Sequence, residues 1–275
     1  MENLKILYLS QEITPFLPES PISMRSRMLP QYMHEKGHEI RVFMPRYGCI
    51  NERRHQLHEV IRLSGMNLVI NDSDHPLIIK VASIPQIRMQ VYFIDNDEYF
   101  KRKAVVADAD GKFFADNDER ALFFCKGALE TVKKLGWKPD IVHCHGWMTS
   151  LAPMLIRKVF NEDPHFENSK IIYSPYSVPG NIKFDASFTK KLMFEDELEK
   201  SDVEILEDPS MDNLHRAALK FSDAVVKGSP DLEKNLVKAI DKSGLEVMEY
   251  CADEDYAPKY AEFYQMVFES ATSLA

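Results

Sequence analysis

The sequence has 275 residues, a formal net charge of −9 and 45% hydrophobic residues, which is enough for one large or two small domains with a sizeable core. The negative charge disfavours a non-specific hold on nucleic acid or on an anionic membrane surface, and no run approaches the roughly 18 apolar residues of a membrane span. The N-terminus lacks a signal-peptide pattern, and the four cysteines are widely spaced without a CxxC pair. We therefore expect a cytoplasmic protein with free thiols.

In chain order, apolar strand-like runs alternate with helical patterns. The predicted strands are KILYLS (5–10), HEIRVFMPRYG (38–48), HEVIRL (58–63), PLIIKVASI (76–84), RMQVYFIDN (88–96), PDIVHCH (139–145), KIIYS (170–174) and DAVVKGS (223–229). The predicted helices cover 21–36, 116–135, 147–159, 211–221 and 230–242. The acidic stretch 180–210 is weakly periodic, and its composition fits either a mobile loop or a short excursion of helices.

This alternation is typical of an α/β protein with a doubly wound, Rossmann-like sheet, some of whose strands are antiparallel. We expect one such domain over residues 1–250. Within residues 251–275, apolar side chains recur at helical spacing, at Tyr260, Phe263, Tyr264, Val267 and Phe268. A C-terminal amphipathic helix that packs on the domain is therefore predicted.

The turn after the first strand is unusual for a place where α/β proteins commonly bind phosphate. It reads FLPESPISMRSR, with Pro18, Glu19 and Pro21 where free backbone N–H groups and positive charge would be expected. Ser20 and Pro21 suit the N-cap and first position of a helix. The turn therefore predicts a helix start that rejects a nucleotide diphosphate. Arg25 and Arg27 are expected at the solvated surface, with binding of a different anion as the alternative.

Six segments, taken together and in order, resemble the N-terminal half of bacterial glycogen synthases and plant starch synthases, glucosyltransferases of the GT-B architecture. They are KILYLSQEITPF, KGHEIRVFMPRYG, VYFIDNDEYFKR, DNDERALFFCKGALE, LGWKPDIVHCHGWMTSLAP and FSDAVVKGSPDLEKNL. The resemblance implies a single GT-B N-terminal-type domain and a cleft at the carboxyl ends of its strands. It also places candidate substrate-binding residues at His145, Trp147 and Asn117.

The sequence departs from this family at three sites. The family's Lys-x-Gly-Gly turn, which contacts the diphosphate of ADP-glucose, is replaced by residues 18–21. Its His-Asp-Trp-His motif appears as residues 145–148 with Gly146 in place of the acidic residue, and its His-Asn pair falls at Tyr176 and Ser177. No catalytic residue is therefore predicted.

These departures predict a catalytically silent relative with a binding or regulatory role in glycogen metabolism. The alternative is a glucosyltransferase, acting from ADP-glucose to α-1,4-glucan, that a donor-binding domain on another chain completes. After residue 245 the sequence continues only to residue 275, less than the ~100 residues of a second α/β domain, so we expect no donor domain here.

Neither a cofactor nor a metal ion is predicted. His143 and His145 share one face of a strand, but no third metal ligand is evident nearby, and Cys144 is expected in the core. The expected partner is a glucan or a protein at the cleft face, with no nucleic acid and no membrane, in a monomer or homodimer. Either the segment between Asn181 and Pro209 covers that face, or a second copy does.

Overall fold

A computed structural model describes residues 3–85, 87, 89–252 and 256–270. Within this part of the chain, ten strands belong to one sheet. They are β1 (Lys5–Ser10), β2 (Glu39–Pro45), β3 (His58–Glu59), β4 (Met66–Ile70), β5 (Ser73–Ile84), β6 (Met89–Asp95), β7 (Ile141–His145), β8 (Lys170–Ser174), β9 (Ala224–Val226) and β10 (Glu246–Met248).

The strand order is β10-β9-β8-β7-β1-β2-β6-β5-β3, and β4 pairs with β5. All pairs from β10 to β6 are parallel, whereas β3, β4 and β6 run antiparallel to β5. The chain builds outward from β1 through β2 to β6, then returns and builds the other way from β7. The switch point of this doubly wound sheet therefore lies between β1 and β7, where α/β proteins place ligands.

Ten α-helices connect or cover the strands in the described residues. They are α1 (Pro21–Glu35), α2 (Glu52–His55), α3 (Asp97–Phe100), α4 (Asn117–Lys134), α5 (Ala152–Lys158), α6 (Phe188–Leu192), α7 (Lys200–Val203), α8 (Met211–Lys220), α9 (Lys234–Lys242) and α10 (Tyr256–Glu269). Short 3₁₀ turns span Trp147–Thr149 and Glu204–Glu207. No helix among these residues is both long enough and apolar enough to cross a membrane.

The predicted fold class is confirmed, and most of the predicted elements are present. The predicted strand HEVIRL is only two residues long, because Leu63 N–H bonds the Val60 carbonyl and turns the chain. The predicted helix 147–159 is split into a 3₁₀ turn and α5, since Pro153 lacks an N–H and occupies the first turn of a helix. Strands β4 and β10 were not predicted, and the stretch 180–210 contains helices, the second of the two predicted alternatives.

The C-terminal helix α10 packs on the domain, as predicted, and it contacts the sheet and α1. Tyr260, Phe263, Tyr264 and Val267 are buried, and Phe268 is partly buried against the core. The Tyr264 hydroxyl lies 2.5 Å from Nδ1 of His143 on β7. The division into residues 1–250 and 251–275 stays a prediction, because β10 and α10 both join the same core.

Candidate functional site: a crevice at the carboxyl ends of the parallel strands

A cavity of about 310 Å³ lies at the switch point of the sheet, and we call it the strand-end crevice. It is formed by the residues that follow β1, β7, β8 and β9 and by the start of α1. Its lining consists of Gln11, Glu12, Ser20, Pro21, Ile22, Val106, Phe113, Gly146, Trp147, Tyr176, Ser177, Val178, Pro179, Ile182 and Ser229. The described lining contains one carboxylate and no lysine, arginine or histidine.

Side chains at the start of α1 form hydrogen bonds with backbone N–H groups of its first turn, as the sequence predicts. Ser20 is the N-cap and accepts a hydrogen bond from the Ser23 N–H at 3.0 Å, while Ser23 Oγ accepts one from the Ser20 N–H at 2.8 Å. Pro21 occupies the first helical position and has no N–H to offer. The helix start therefore makes its capping hydrogen bonds within the chain.

The carboxylate at this helix start is Glu12 rather than Glu19. Ser20 Oγ donates to Glu12 Oε2 at 2.8 Å, and Gln11 Nε2 donates to Glu12 Oε1 at 3.0 Å. Glu19 is exposed and does not line the strand-end crevice. The prediction of a carboxylate facing the crevice from this turn is therefore right in kind but wrong in residue, since Glu12, from the segment KILYLSQEITPF, takes the place expected for Glu19.

Gly146 fits its position because the backbone there would be strained by a side chain. Its φ is +83°, and a Cβ placed on it would lie 2.7 Å from Ile22 Cδ1 and 3.0 Å from Gln11 Oε1. Only glycine adopts such a backbone without strain. The acidic side chain that the resemblance expects at this position would therefore strain the backbone and displace the side chains of Ile22 and Gln11.

Each of the three predicted substrate-binding residues is buried. Trp147 is 2% exposed and forms a wall of the strand-end crevice, with the rings of Phe113 and Phe184 each 5.4 Å from it. His145 lies behind this wall and does not line the crevice. Their assignment as substrate-binding residues stays a prediction.

His145 is fully buried and has one hydrogen-bond partner among the described residues. Its Nδ1 lies 3.1 Å from the Tyr176 hydroxyl, whereas Nε2 has no partner there. Burial, with the nearby Arg25 adding to the effect, lowers the pKa of His145 to about 3. The ring is therefore neutral at physiological pH.

Asn117 supports the crevice from outside. Its Nδ2 donates to the Val106 carbonyl at 2.8 Å, and its Oδ1 accepts from Arg120 Nη1 at 2.5 Å. Val106 lines the strand-end crevice, so Asn117 holds that part of the wall in place. Asn117 itself is fully buried and does not reach the cavity.

A polar cluster beneath α10 was not found from the sequence. His143 bonds Tyr264 of α10 and Ser174 Oγ, the latter at 2.7 Å, and its ring centroid is 3.9 Å from that of His145. Burial, with His145 adding to the effect, lowers the pKa of His143 well below its usual range. No group of three ligating side chains among the described residues is placed to hold a metal ion.

Arg25 is buried, which corrects the expectation of a solvated surface residue. It is only 6% exposed, its Nη1 donates to the Tyr260 hydroxyl at 2.9 Å, and its Nη2 donates to the Cys251 carbonyl. Its guanidinium also lies over the rings of Tyr250 and Tyr256. The sequence carried no signal for this contact, because the partners are more than 200 residues apart along the chain.

The segment between Asn181 and Pro209, which we call the lid, covers the crevice wall. Phe184 of the lid packs on Trp147 and Phe113, and Phe188 and Leu192 are buried in the core. Lys191 of the lid bonds Asp118 and Glu119 of α4, each at 2.8 Å, and Glu195 bonds Lys126 of α4 at 2.5 Å. The predicted covering of Trp147 by this segment is confirmed.

Comparison with known proteins identifies the family. A model of the starch synthase catalytic domain matches residues 5–248. The chain belongs to this family. The glycogen synthase of Chlorobium limicola is 39% identical over 177 residues, which are 64% of this chain and 36% of that protein. The glycogen synthase of Chlorobaculum parvum is 34% identical over 236 residues, which are 85% of this chain and 47% of that protein.

A solved structure has the same fold. The catalytic domain of starch synthase IV from Arabidopsis thaliana, bound to ADP and acarbose, superposes with a TM-score of 0.74 at 18% identity. The match covers 93% of this chain and 52% of that one. The chain is therefore a GT-B glycosyltransferase-type domain that spans less than half the length of the two glycogen synthases and about half of the solved starch synthase chain.

Proposed function

We propose that this domain binds α-glucan at the strand-end crevice and is itself catalytically silent, with a binding or regulatory role in glycogen metabolism. The observation that carries the proposal is the lining of the crevice. It offers aromatic rings and neutral polar groups to a sugar ring but no cation to a nucleoside diphosphate. Glu12, the one charged residue of the described lining, would repel a phosphate by about 1 kcal/mol at 4 Å in water and about 4 kcal/mol at an effective dielectric constant of 20.

The absence of an acidic side chain at Gly146 also supports the proposal. The family resemblance expects a carboxylate there and a His-Asn pair at the positions of Tyr176 and Ser177. A side chain that transfers a proton in catalysis works best when its pKa lies near the working pH. His145 is buried, and its lowered pKa of about 3 keeps the imidazole neutral and weakly basic at neutral pH. For the location of the protein we propose the cytoplasm, because Cys49, Cys125 and Cys144 are free thiols.

A direct assay tests the silent role. The purified protein is incubated with ADP-glucose and glycogen, and ADP release is measured against a blank. We expect release at background, and no thermal stabilisation by millimolar ADP, whereas ligand at 100 times its Kd would add about 2.7 kcal/mol. ADP release above background would contradict the proposal.

Glycogen binding is tested by co-sedimentation. We expect the wild type to sediment with glycogen and Phe113→Ala, which removes a ring from the crevice, to do so several-fold less. Phe194→Ala is the matched control, because Phe194 is 42% exposed and lies outside the crevice. Equal loss in both variants, or no binding by the wild type, would count against a glucan role for the crevice.

The second candidate is a glucosyltransferase whose donor-binding domain lies on another chain. The observation that favours it is the match to glycogen synthases over 36–47% of their length, since those proteins contain sequence beyond the matched part. This candidate predicts that ADP release appears when a donor-binding domain is added in trans.

A further inference from the structure

A second cavity, of about 450 Å³, lies beside the strand-end crevice, on the far side of the loop 176–182; we call it the flank cavity. It is bounded by that loop, by the start of α8 and by the start of α9. Its lining consists of Tyr176, Ser177, Val178, Gly180, Asn181, Ile182, Ser210, Met211, Asp212, His215, Leu232, Glu233, Asn235 and Leu236. This volume is in the range of small-molecule sites.

The walls of the flank cavity separate apolar from polar surface. Leu232 and Leu236 are buried and, with Met211 and Ile182, supply a continuous apolar side. Exposed amide side chains, Asn181 and Asn235, lie among the remaining lining residues and can donate and accept hydrogen bonds. An apolar wall beside hydrogen-bonding groups fits a ring compound that has one apolar face and several hydroxyl groups.

Two side chains on one face of α8 have hydrogen-bonding capacity left for a ligand. Asp212 Oδ1 is buried and has no hydrogen-bond partner among the described residues. His215, three residues later, is 3% exposed, and its Nδ1 lies 2.7 Å from the Tyr173 hydroxyl. With Nδ1 engaged, Nε2 is the ring nitrogen left for a ligand. A buried acceptor without a donor is costly, so a ligand hydroxyl that donates to Asp212 would stabilise the complex.

The charges of the lining exclude an anion. Asp212 and Glu233 are carboxylates, and the described lining contains no lysine or arginine. A metal ion is disfavoured as well, because the described residues include no group of three ligating side chains placed to hold one. A neutral hydroxyl-bearing molecule meets both conditions.

We propose that the flank cavity is a binding site for a neutral sugar ring, held by hydrogen bonds to Asp212 and His215 and by the apolar side formed by Leu232 and Leu236. The site is separate from the strand-end crevice, and it discriminates against phosphorylated sugars. Two sources of such a ring are a free hexose and the end of a glucan chain. This inference does not depend on glucan binding at the crevice.

Calorimetric titration with glucose, maltose and glucose 6-phosphate tests the site. We expect glucose and maltose to bind, and glucose 6-phosphate to bind at least about tenfold more weakly, because its phosphate meets two carboxylates. Tighter binding of maltose than of glucose identifies a chain end as the source, and equal binding identifies the free hexose. No binding of either neutral sugar, or equal binding of glucose 6-phosphate, would overturn the proposal.

Two variants locate the binding in the flank cavity. Asn235→Trp places a large ring at the mouth from an exposed position and should abolish maltose binding, whereas Lys238→Trp, exposed on the same helix outside the lining, should leave it unchanged. Asp212→Asn should weaken maltose binding about tenfold and reduce the discrimination against glucose 6-phosphate, while Asp231→Asn should do neither. Maltose binding that survives in Asn235→Trp would contradict the site.

The outcome is separable from that of the proposed function. Phe113 lines only the crevice and Asn235 lines only the flank cavity. Loss of glycogen co-sedimentation in Phe113→Ala with unchanged maltose titration supports both sites. Loss of maltose binding in Phe113→Ala and not in Asn235→Trp assigns the sugar to the crevice and overturns the flank site.

Discussion

At the residue scale, the backbone conformation of Gly146 determines which side chains line the crevice after β7. Its positive φ turns the chain sharply after β7, and Ile22 and Gln11 occupy the space that a side chain would need. As a result Trp147 enters the crevice wall directly after β7. The same geometry that shapes the wall therefore disfavours a carboxylate at this position.

Gly146→Ala should lower the free energy of unfolding by about 3 kcal/mol, from backbone strain and from overpacking against Ile22. Gly136→Ala is the matched control, since Gly136 has a φ of +62° with nothing within 4 Å of an added Cβ. It should cost only about 1 kcal/mol. Urea unfolding of both variants measures the difference. Equal losses of the free energy of unfolding would show that the contact with Ile22 adds nothing to the cost of the positive φ.

At the element scale, two segments are fastened to the domain by charged side chains rather than by apolar contact alone. Arg25 of α1 binds the residues around α10, and Lys191 of the lid binds α4. Removing one partner of a buried charged contact is destabilising, because the remaining charge stays buried without an opposite charge or a hydrogen-bond partner. Single substitutions at Arg25 and at Lys191 therefore test these two contacts.

Arg25→Lys should loosen α10, because an ammonium cannot make both hydrogen bonds of the guanidinium or lie flat on the tyrosine rings. We expect the free energy of unfolding to fall by about 2 kcal/mol. Amide hydrogen exchange should become faster in α10 than in the wild type, by more than it does in β1. Arg27→Lys, on the same helix and half-buried, is the control and should leave exchange in α10 unchanged. Unchanged exchange in Arg25→Lys would mean that apolar packing alone holds α10.

Lys191→Met should release the lid from α4. Asp118, whose pKa is raised by burial although Lys191 opposes this, would be left without its cation, at a cost of about 3 kcal/mol. In a Trp137→Phe background, acrylamide quenching reports on Trp147 alone, and we expect it to increase. Lys190→Met, an exposed neighbour, should leave quenching at the wild-type level. Equal quenching in both variants would show that Phe184 covers Trp147 without the ion pairs.

At the scale of the whole molecule, several imidazoles are buried in the neutral state. Burial lowers the pKa of His145 to about 3 and of His215 to about 4, and it lowers the pKa of His143 well below its usual range. In the unfolded chain these groups titrate near 6.5. Below that pH the unfolded chain binds protons that the folded protein excludes, so stability falls as the pH falls.

The free energy of unfolding should therefore be about 4 kcal/mol lower at pH 5.5 than at pH 7, at up to about 1.4 kcal/mol per histidine and pH unit. Urea midpoints at the two pH values measure this loss. His215→Gln should reduce the pH difference by about one third, and His58→Gln, which is exposed, should leave it unchanged. A pH difference that His215→Gln does not alter would contradict the assignment of a buried neutral imidazole.

The alternation of strand and helix patterns, with the capping residues Ser20 and Pro21, was sufficient to predict the sheet, the start of α1 and the amphipathic α10. These features depend on local propensity and on hydrophobic periodicity, both of which are written along the chain. Short edge strands such as β3 and β10 were mispredicted or missed, because two or three half-exposed residues carry too little periodicity. The six ordered segments also identified the family, which the family model then matched over residues 5–248.

Only the tertiary structure decided which side chains meet. Glu12 replaces Glu19 as the carboxylate of the helix start because the turn folds back to bring Ser20 beside it. Arg25 is buried because α10, far along the chain, returns to cover it. His145 and Asn117 lie behind the crevice wall rather than in the cavity, and the flank cavity joins three separate segments. The sequence by itself therefore determined the fold and the family, whereas burial, pairing and cavity shape depend on long-range contacts that no local pattern encodes.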